Sequence, residues 1–185
     1  MKNFIGNCND IIDWNLVLQS VKNTAPAYKG PRHKKSDQLP GIKEIDEMWH
    51  KAGYTLESEG GTIGWDMCVP EKNFDRSVVT SFENYVGTDV LSCWISVVHQ
   101  GYCAPWHWDT QDNEESLRKI DNIERFHCHI MDTKPGHILI VEDELYYNAK
   151  QGDVYKWPSR HAWHAGSNCG VEPKYIFNFF GIKRK

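Results

Sequence analysis

The 185-residue sequence contains no apolar run long enough to span a membrane, and no apolar leader stretch follows its first methionine. A transmembrane helix needs about 20 apolar residues in succession, and a secretory signal needs an apolar segment after a basic start. These two absences predict a cytoplasmic protein without a membrane partner. No internal repeat and no low-complexity tract is present, which argues against a solenoid and against long disordered segments.

The six cysteines form no CxxC pair, so the spacing typical of zinc ribbons is missing. In a cytoplasmic setting we expect reduced thiols. The sequence also lacks an excess of basic residues, and its net charge of −4 gives no general attraction to nucleic acid. Two local basic clusters, Lys29–Lys35 and Lys183–Lys185, are expected to be solvated surface. A nucleic-acid partner is therefore not expected, but the first cluster keeps a nucleobase substrate open as an alternative.

Helical spacing of apolar residues marks the first half of the chain. The predicted helices cover residues 11–21, 42–52 and 74–85. Asp10 is the predicted N-cap of the first, with Asn73 before the third, and Gly53 and Gly87 follow the second and third. Residues 62–69 could form a strand. We expect this region, residues 1–88, to be a helical support for the rest of the chain.

From Val90 onward, β-branched and aromatic residues dominate short segments that are separated by turn signals. The predicted strands cover residues 90–99, 125–131, 137–141, 154–157 and 175–180. This pattern favours a mainly β fold with flanking helices, in the form of an antiparallel sandwich or barrel. We expect a single domain over 1–185 with its β core at 89–183. The polar stretch 111–122 is either a lid or an ordinary exposed loop.

Two histidines and one aspartate suggest the chemistry. His107 and Asp109 are two residues apart, so on a strand both side chains project from the same face. With a distant histidine such as His164, they would supply the 2-His-1-carboxylate triad that holds Fe(II) and leaves coordination positions open. The flanking Trp106 and Trp108 would shield such a site, although core packing also explains them.

The distal histidine is ambiguous between His161 and His164. Residues 152–168 are similar to the second cupin motif, in which a glycine and a proline precede a metal histidine and an asparagine follows it after three residues. His164 with Asn168 satisfies that spacing and His161 does not, so His164 is the preferred ligand.

Polar residues alternate with apolar ones on two later strands. Lys174 shares a strand face with Ile176 and Asn178, and a buried lysine there would need an anion, such as a co-substrate carboxylate. A solvent-exposed edge lysine is the alternative. Arg125, His127 and His129 share a face of another strand, which a polar barrel interior would explain. Arg125 and His127 could hold a carboxylate, and His127 or His129 could instead replace His107 as a ligand.

Taken together, residues 105–182 resemble the Fe(II)- and 2-oxoglutarate-dependent dioxygenases, in particular the aspartyl/asparaginyl β-hydroxylase-like and phage prolyl-hydroxylase-like branch. The matching pieces are Pro105-Trp106-His107-x-Asp109, Arg125-x-His127, Gly152-Asp153-Val154-Tyr155, His164-x-x-x-Asn168 and Lys174, a basic residue ten positions beyond the distal histidine. The resemblance covers somewhat under half of the chain, and the first half resembles no family.

The resemblance implies a double-stranded β-helix, also called a jelly-roll or cupin-like core. It implies Fe(II) bound by His107, Asp109 and His164, with 2-oxoglutarate and O2 as co-substrates. Lys174 stands where the family places the basic partner of 2-oxoglutarate, and Arg125, His127 and Asn168 are assigned to the co-substrate site. The expected activity is hydroxylation of a C–H bond in an amino acid, a peptide or protein, or a small metabolite, with succinate and CO2 as co-products. The alternatives are a nucleobase or nucleotide hydroxylase and a non-oxidative cupin-type metal-binding module.

Overall fold

The computed structural model describes residues 3–30, 40–109, 120 and 122–185. Within them, three helices and eleven strands follow one another along the chain. The helices are α1 (Trp14–Lys22), α2 (Pro40–Lys51) and α3 (Arg76–Val86). The strands are β1 (Phe4–Asn7), β2 (Tyr28–Gly30), β3 (Trp65–Cys68), β4 (Thr88–Val98), β5 (Cys103–His107), β6 (Ile123–His129), β7 (His137–Val141), β8 (Glu144–Leu145), β9 (Asp153–Lys156), β10 (His164–Asn168) and β11 (Lys174–Lys183).

The strands form two antiparallel sheets. The large sheet has the order β1-β9-β6-β11-β4-β3-β2, and the small sheet has the order β5-β10-β7-β8. From β4 to β11 the chain passes back and forth between the two sheets, which is the winding of a double-stranded β-helix. The expected mainly β fold with a jelly-roll core and flanking helices is therefore confirmed. No described helix combines the length and apolarity that crossing a bilayer requires.

The central strands of the large sheet are buried on both faces. One face packs against α1 and α3 and forms the main core, with Phe126, Phe177 and Phe179 at its centre. On the opposite face, Arg125, His127 and Lys174 are also buried. Because successive residues of a strand point to opposite faces, the apolar and the polar positions alternate here. The predicted polar interior of the β core is confirmed.

Residues 1–88 carry all three described helices, and they also add three strands to the large sheet. β3 and β2 extend the sheet beyond β4, and β1 pairs with β9 at the other edge. Of these strands, the sequence indicated only the one within residues 62–69. β1 and β2 are short edge strands, which their own sequence hardly specifies because the pairing partner supplies most of their stabilisation.

Two predicted helix starts are wrong, each by a few residues. α1 begins after Asp13 and not after Asp10, because the Asp13 carboxylate accepts a hydrogen bond from the Leu16 backbone N–H at 3.1 Å. α3 begins after Asp75, whose carboxylate accepts from the Ser77 N–H at 2.7 Å. Asn73 instead donates from Nδ2 to the Ala25 carbonyl at 2.7 Å and ties the preceding loop in place.

Phe82 lies where α3 meets the large sheet, and its truncation should cost much of the stability. Its side chain is fully buried, and its ring centroid lies 5.0 Å from that of Phe177 and 5.1 Å from that of Phe179. We expect Phe82→Ala to lower the free energy of unfolding by about 3–5 kcal/mol, as measured by chemical denaturation. Leu16→Ala, at a position 65% exposed on α1, should change it by less than about 0.5 kcal/mol. Equal losses in the two variants would contradict this packing.

Candidate metal and anion site

Three potential metal ligands converge at the small sheet. His107 ends β5, and register places it directly opposite His164 on β10. Asp109 follows His107 by two residues and returns to the same side. One ligand atom from each side chain lies within 4.8 Å of the other two. Nε2 of His107 and Nε2 of His164 each lie 3.7 Å from a carboxylate oxygen of Asp109.

Backbone carbonyls fix how both imidazoles present their lone pairs. Nδ1 of His107 lies 2.6 Å from the Pro105 carbonyl oxygen, and Nδ1 of His164 lies 3.1 Å from that of Ala162. Since a carbonyl only accepts, each Nδ1 carries the proton and each Nε2 keeps a lone pair. Burial, reinforced by nearby His107 and Arg125, holds the pKa of His164 well below its usual value. His164 is therefore neutral, as a metal ligand must be.

The structure places His164, and not His161, next to His107 and Asp109. His161 is exposed, and its Nε2 accepts a hydrogen bond from Arg160 at 3.0 Å. His127 and His129 lie on β6 and are absent from the described cluster of potential ligands. Of the alternatives that the sequence left open, the geometry therefore favours His107, Asp109 and His164.

Lys174 enters the same cavity from the large sheet. It is the first residue of β11, and its ammonium donates a hydrogen bond to the Ile138 carbonyl at 2.5 Å. Burial lowers the pKa of Lys174 to about 7. Among the described residues, Lys174 forms no salt bridge with a carboxylate. The predicted inward orientation of Lys174 is confirmed, and an exposed edge lysine is excluded.

Gly166 makes room for this lysine. A Cβ at position 166 would lie 3.0 Å from the Lys174 Nζ, which is closer than an ordinary van der Waals contact. A glycine inside a strand often marks such a close approach. The glycine in this strand is visible in the sequence. Only the structure shows that the group approaching it is the Lys174 ammonium.

Arg125 is fully buried beside the three potential ligands. Its Nη2 forms an ion pair with Asp109 and lies 3.5 Å from Nε2 of His164. The guanidinium carbon sits 3.2 Å from the ring centroid of Trp157 and 4.6 Å from that of Phe180. Burial lowers the pKa of Arg125 to about 10, with Asp109 opposing the shift. Arg125 thus remains a cation at neutral pH.

Two further predicted residues lie away from the cavity. His127 accepts a hydrogen bond at Nδ1 from the Trp157 indole at 2.7 Å, so it supports the aromatic ring under Arg125. Asn168 donates from Nδ2 to the carbonyls of Val98 and Glu172 and accepts from the Gly170 N–H. The amide of Asn168 therefore stabilises the turn after β10. Neither side chain lines the cavity that the other predicted residues share.

The cavity between the sheets is lined by apolar residues together with a group of polar and ionisable ones. Its described lining consists of Trp65, Trp94, Ser96, Val98, Ala104, His107, Asp109, Arg125, Leu139, Trp157, His164, Gly166, Lys174, Ile176 and Asn178. Sequence analysis had missed Trp65, Trp94 and Trp157, because a tryptophan in a strand looks the same whether it packs in a core or lines a pocket. Asp109 is the single acidic side chain among these described residues.

Trp106 and Trp108, which the sequence suggested as shields of the site, do not line the described cavity. Trp163 stacks on Trp106 with ring centroids 6.4 Å apart, and it meets Trp108 edge-on at 4.6 Å. The Trp106 carbonyl accepts a hydrogen bond from the Trp49 indole at 2.9 Å, and this bond joins α2 to β5. The rings that pack on the His107 imidazole are those of Trp49 and Trp65, with centroids 5.6 Å and 6.2 Å away.

Two regions singled out in the sequence fall wholly or largely outside the described residues. The possible lid at 111–122 is described only at Ile120 and Asn122. Of the basic cluster at 29–35, Lys29 and Gly30 are described, and the Lys29 ammonium pairs with Glu57 at 3.2 Å.

Comparison with solved structures places this fold. The viral collagen prolyl hydroxylase from Paramecium bursaria Chlorella virus-1, solved as a complex with 2-oxoglutarate, aligns with a TM-score of 0.50 and 11% identity over 78% of this chain and 91% of that one. The chain shares the fold of that hydroxylase. A prolyl-4-hydroxylase from Pseudomonas putida aligns with a TM-score of 0.45 and 8% identity over 93% of this chain and 100% of that one, which is too weak to support an inference.

No protein-family model and no curated protein sequence matches the chain. The resemblance to 2-oxoglutarate-dependent oxygenases that the sequence indicated is thus confirmed at the level of the fold. Sequence identity this low carries nothing beyond the fold, so the chemistry of the site must be argued from the chain's own residues.

Proposed function

We propose that this chain is an Fe(II)- and 2-oxoglutarate-dependent dioxygenase that hydroxylates a C–H bond of an amino-acid, peptide or small-metabolite substrate. The observation that carries the proposal is the convergence of His107, Asp109 and His164 within 4.8 Å in a cavity that also holds the buried cation Lys174. A charged lysine without a carboxylate partner is costly to bury, so this position favours the binding of an anion from solution.

The three side chains fit a divalent iron. Two neutral imidazole nitrogens and one carboxylate oxygen are the donor set of the facial triad in non-haem Fe(II) oxygenases. The Pro105 and Ala162 carbonyls hold the rings in the tautomer that such binding requires. Three protein ligands leave positions for small molecules, which distinguishes a reactive centre from a structural metal site with four protein ligands.

Lys174 fits the distal carboxylate of 2-oxoglutarate. Lys174 is 4% exposed and lies on the sheet opposite to the ligand histidines. A dicarboxylic acid bound between the two sheets could therefore reach the metal with one end and Lys174 with the other. The complex of the viral prolyl hydroxylase with 2-oxoglutarate supports this choice of acid, since that enzyme has the same fold.

The chain's own contribution is binding, orientation and exclusion of water. Bound iron and 2-oxoglutarate supply the O2-dependent oxidation of a C–H bond, with succinate and CO2 as co-products. Trp49 and Trp65, which pack on His107, would limit the access of bulk water, and the apolar part of the cavity wall would place the substrate C–H bond next to the metal.

Absorption spectroscopy tests the proposal directly. Adding Fe(II) and 2-oxoglutarate to the protein without oxygen should give the weak visible charge-transfer band of the chelate, and admitting O2 should yield succinate. His161→Ala should behave like the unaltered protein, because His161 lies outside the ligand cluster. A folded protein that shows neither the band nor succinate would favour a non-oxidative metal-binding module.

The affinity for 2-oxoglutarate should depend on pH through Lys174. The pKa of Lys174 is about 7 without a bound anion, and a bound carboxylate would raise it. Below pH 7 the ammonium is already protonated, so affinity should be flat there. Above pH 7 each binding event takes up a proton, and Kd should rise by up to about tenfold per pH unit.

Titrations of the charge-transfer band between pH 6 and pH 9 would measure this dependence. The matched control is Lys174→Arg, because a guanidinium stays protonated throughout this range and should flatten the profile. A Kd that is equally flat in the unaltered protein would remove Lys174 from the anion site.

A further inference from the structure

Arg125 carries hydrogen-bond donors that the described structure leaves unused. Its Nη2 is engaged by Asp109 and His164, whereas Nε and Nη1 are buried and contact no acceptor among the described residues. A guanidinium has five N–H donors and no acceptor, and that of Arg125 is charged at neutral pH. Buried donors of this kind are rare unless an acceptor arrives from outside.

The surroundings of Arg125 restrict where that acceptor can bind. Trp157 and Phe180 cover the guanidinium at 3.2 Å and 4.6 Å, so it can be approached only at its edge. Both rings are held in place, Trp157 by its hydrogen bond to His127 and Phe180 by stacking on Trp94 at 5.8 Å. A guanidinium fixed in this way can donate from Nε and from Nη1 to charged oxygen acceptors, and a carboxylate is the usual source of such oxygens.

Arg125 and Lys174 reach the cavity from different strands of the large sheet and meet β10 two residues apart. Nη2 of Arg125 lies 3.5 Å from Nε2 of His164, whereas a Cβ at Gly166 would lie 3.0 Å from Nζ of Lys174. A diacid held between Lys174 and the metal would therefore end close to Arg125. The charge of the filled cavity decides whether a second anion is also needed there.

The charge balance favours a second anion. A divalent metal, Lys174 and Arg125 together exceed the negative charge of Asp109 and of a dianionic co-substrate by one unit. Asp109 is the single acidic group among the described cavity-lining residues. Buried charge is tolerated when it is paired. We therefore expect one further anion to bind in a cavity that already holds the metal and the co-substrate.

We infer that Arg125 binds a carboxylate of the primary substrate. The substrate class is thereby an anionic compound whose carboxylate lies beside the C–H bond to be hydroxylated. This inference rests on the proposed function and narrows it. The carboxylate can belong to a free amino acid or to an acidic side chain of a peptide, and both sources share the same chemistry at Arg125.

Acetate and acetamide are suitable probes, because they have the same shape and differ in charge. The protein is loaded with Mn(II), which does not support turnover, and saturated with 2-oxoglutarate. Binding of each probe is then followed by ligand-observed NMR. We expect acetate to bind with a Kd of about 1–10 mM and acetamide to bind at least about tenfold more weakly.

Arg125→Gln should weaken acetate binding by about tenfold or more, and Arg125→Lys should restore part of it, because the charge returns without the planar array of N–H donors. The Kd of 2-oxoglutarate, measured on the same samples, should change by less than about threefold. If either variant fails to fold, the competition between acetate and 2-oxoglutarate in the unaltered protein still shows whether acetate binds separately from the co-substrate.

Three results would overturn the inference: no acetate binding up to about 100 mM, equal binding of acetamide, or loss of acetate binding as 2-oxoglutarate saturates. The last result would assign Arg125 to the co-substrate. Failure of the proposed function shows separately, as failure to bind Mn(II) and 2-oxoglutarate at all. Displacement of acetate by free amino acids would identify an α-carboxylate, and displacement by amidated peptides with one glutamate would identify a side-chain carboxylate.

Discussion

Substituting His164 by alanine should abolish succinate formation, while His161→Ala should retain at least about half of it. Loss of a direct ligand should weaken metal binding by more than the ~10–100-fold typical of losing a group that only orients a ligand. The two histidines are three residues apart in sequence, but only His164 lies opposite His107 across the β5–β10 pair. Succinate release and Fe(II) affinity would both be measured.

The same loss is expected for His107→Ala and Asp109→Ala, because each supplies one of three convergent ligand atoms. Circular dichroism and thermal melting should accompany the assays, since the imidazole of His164 also packs on Trp157 with ring centroids 4.6 Å apart. Full activity in His164→Ala together with inactivity in His161→Ala would mean that the distal ligand was assigned to the wrong histidine.

Lys174→Ala should mainly raise the requirement for 2-oxoglutarate. Removing one partner of a buried charge pair costs about 2–5 kcal/mol, so KM for 2-oxoglutarate should increase by roughly 30-fold or more. Fe(II) affinity should change little, because Lys174 is not among the three ligands. Steady-state succinate formation at varied 2-oxoglutarate would measure the effect.

Lys150→Ala is the matched control for this experiment. The Lys150 side chain is 66% exposed and pairs with Asp132 at the surface, so its removal should leave KM unchanged. Lys174→Arg should give an intermediate KM, because the charge is kept and the shape differs. An unchanged KM in Lys174→Ala would show that the co-substrate carboxylate binds elsewhere.

The parts of the site that could be predicted from sequence are those set by strand periodicity. His107 and Asp109 are two residues apart and do reach the same side, and Lys174 does point inward with Ile176 and Asn178. Each of these inferences needs only the alternation of side chains along a strand.

Other parts depend on contacts between distant segments. β10 has the sequence His164-Ala165-Gly166-Ser167-Asn168, which has little intrinsic preference for a strand, and it is extended because β5 and β7 bond to it on both sides. The choice of Asp13 over Asp10 as the cap of α1 likewise depends on the turn at Cys8, whose carbonyl accepts from the N–H groups of Ile11 and Ile12. Local sequence does not contain that information.

Because the cavity groups come from both sheets, the preference of the cavity for an acid of a given length can change without a change in these groups. The histidine ligands lie on the small sheet, whereas Lys174 and Arg125 lie on the large one. The length of organic acid that fits is thus set by side chains between the sheets, such as Leu139 on β7 and Ile176 on β11, which both line the cavity. Substitutions at such residues alone could change the length of the acid that the cavity accepts. Every residue that contacts iron or a carboxylate would stay the same.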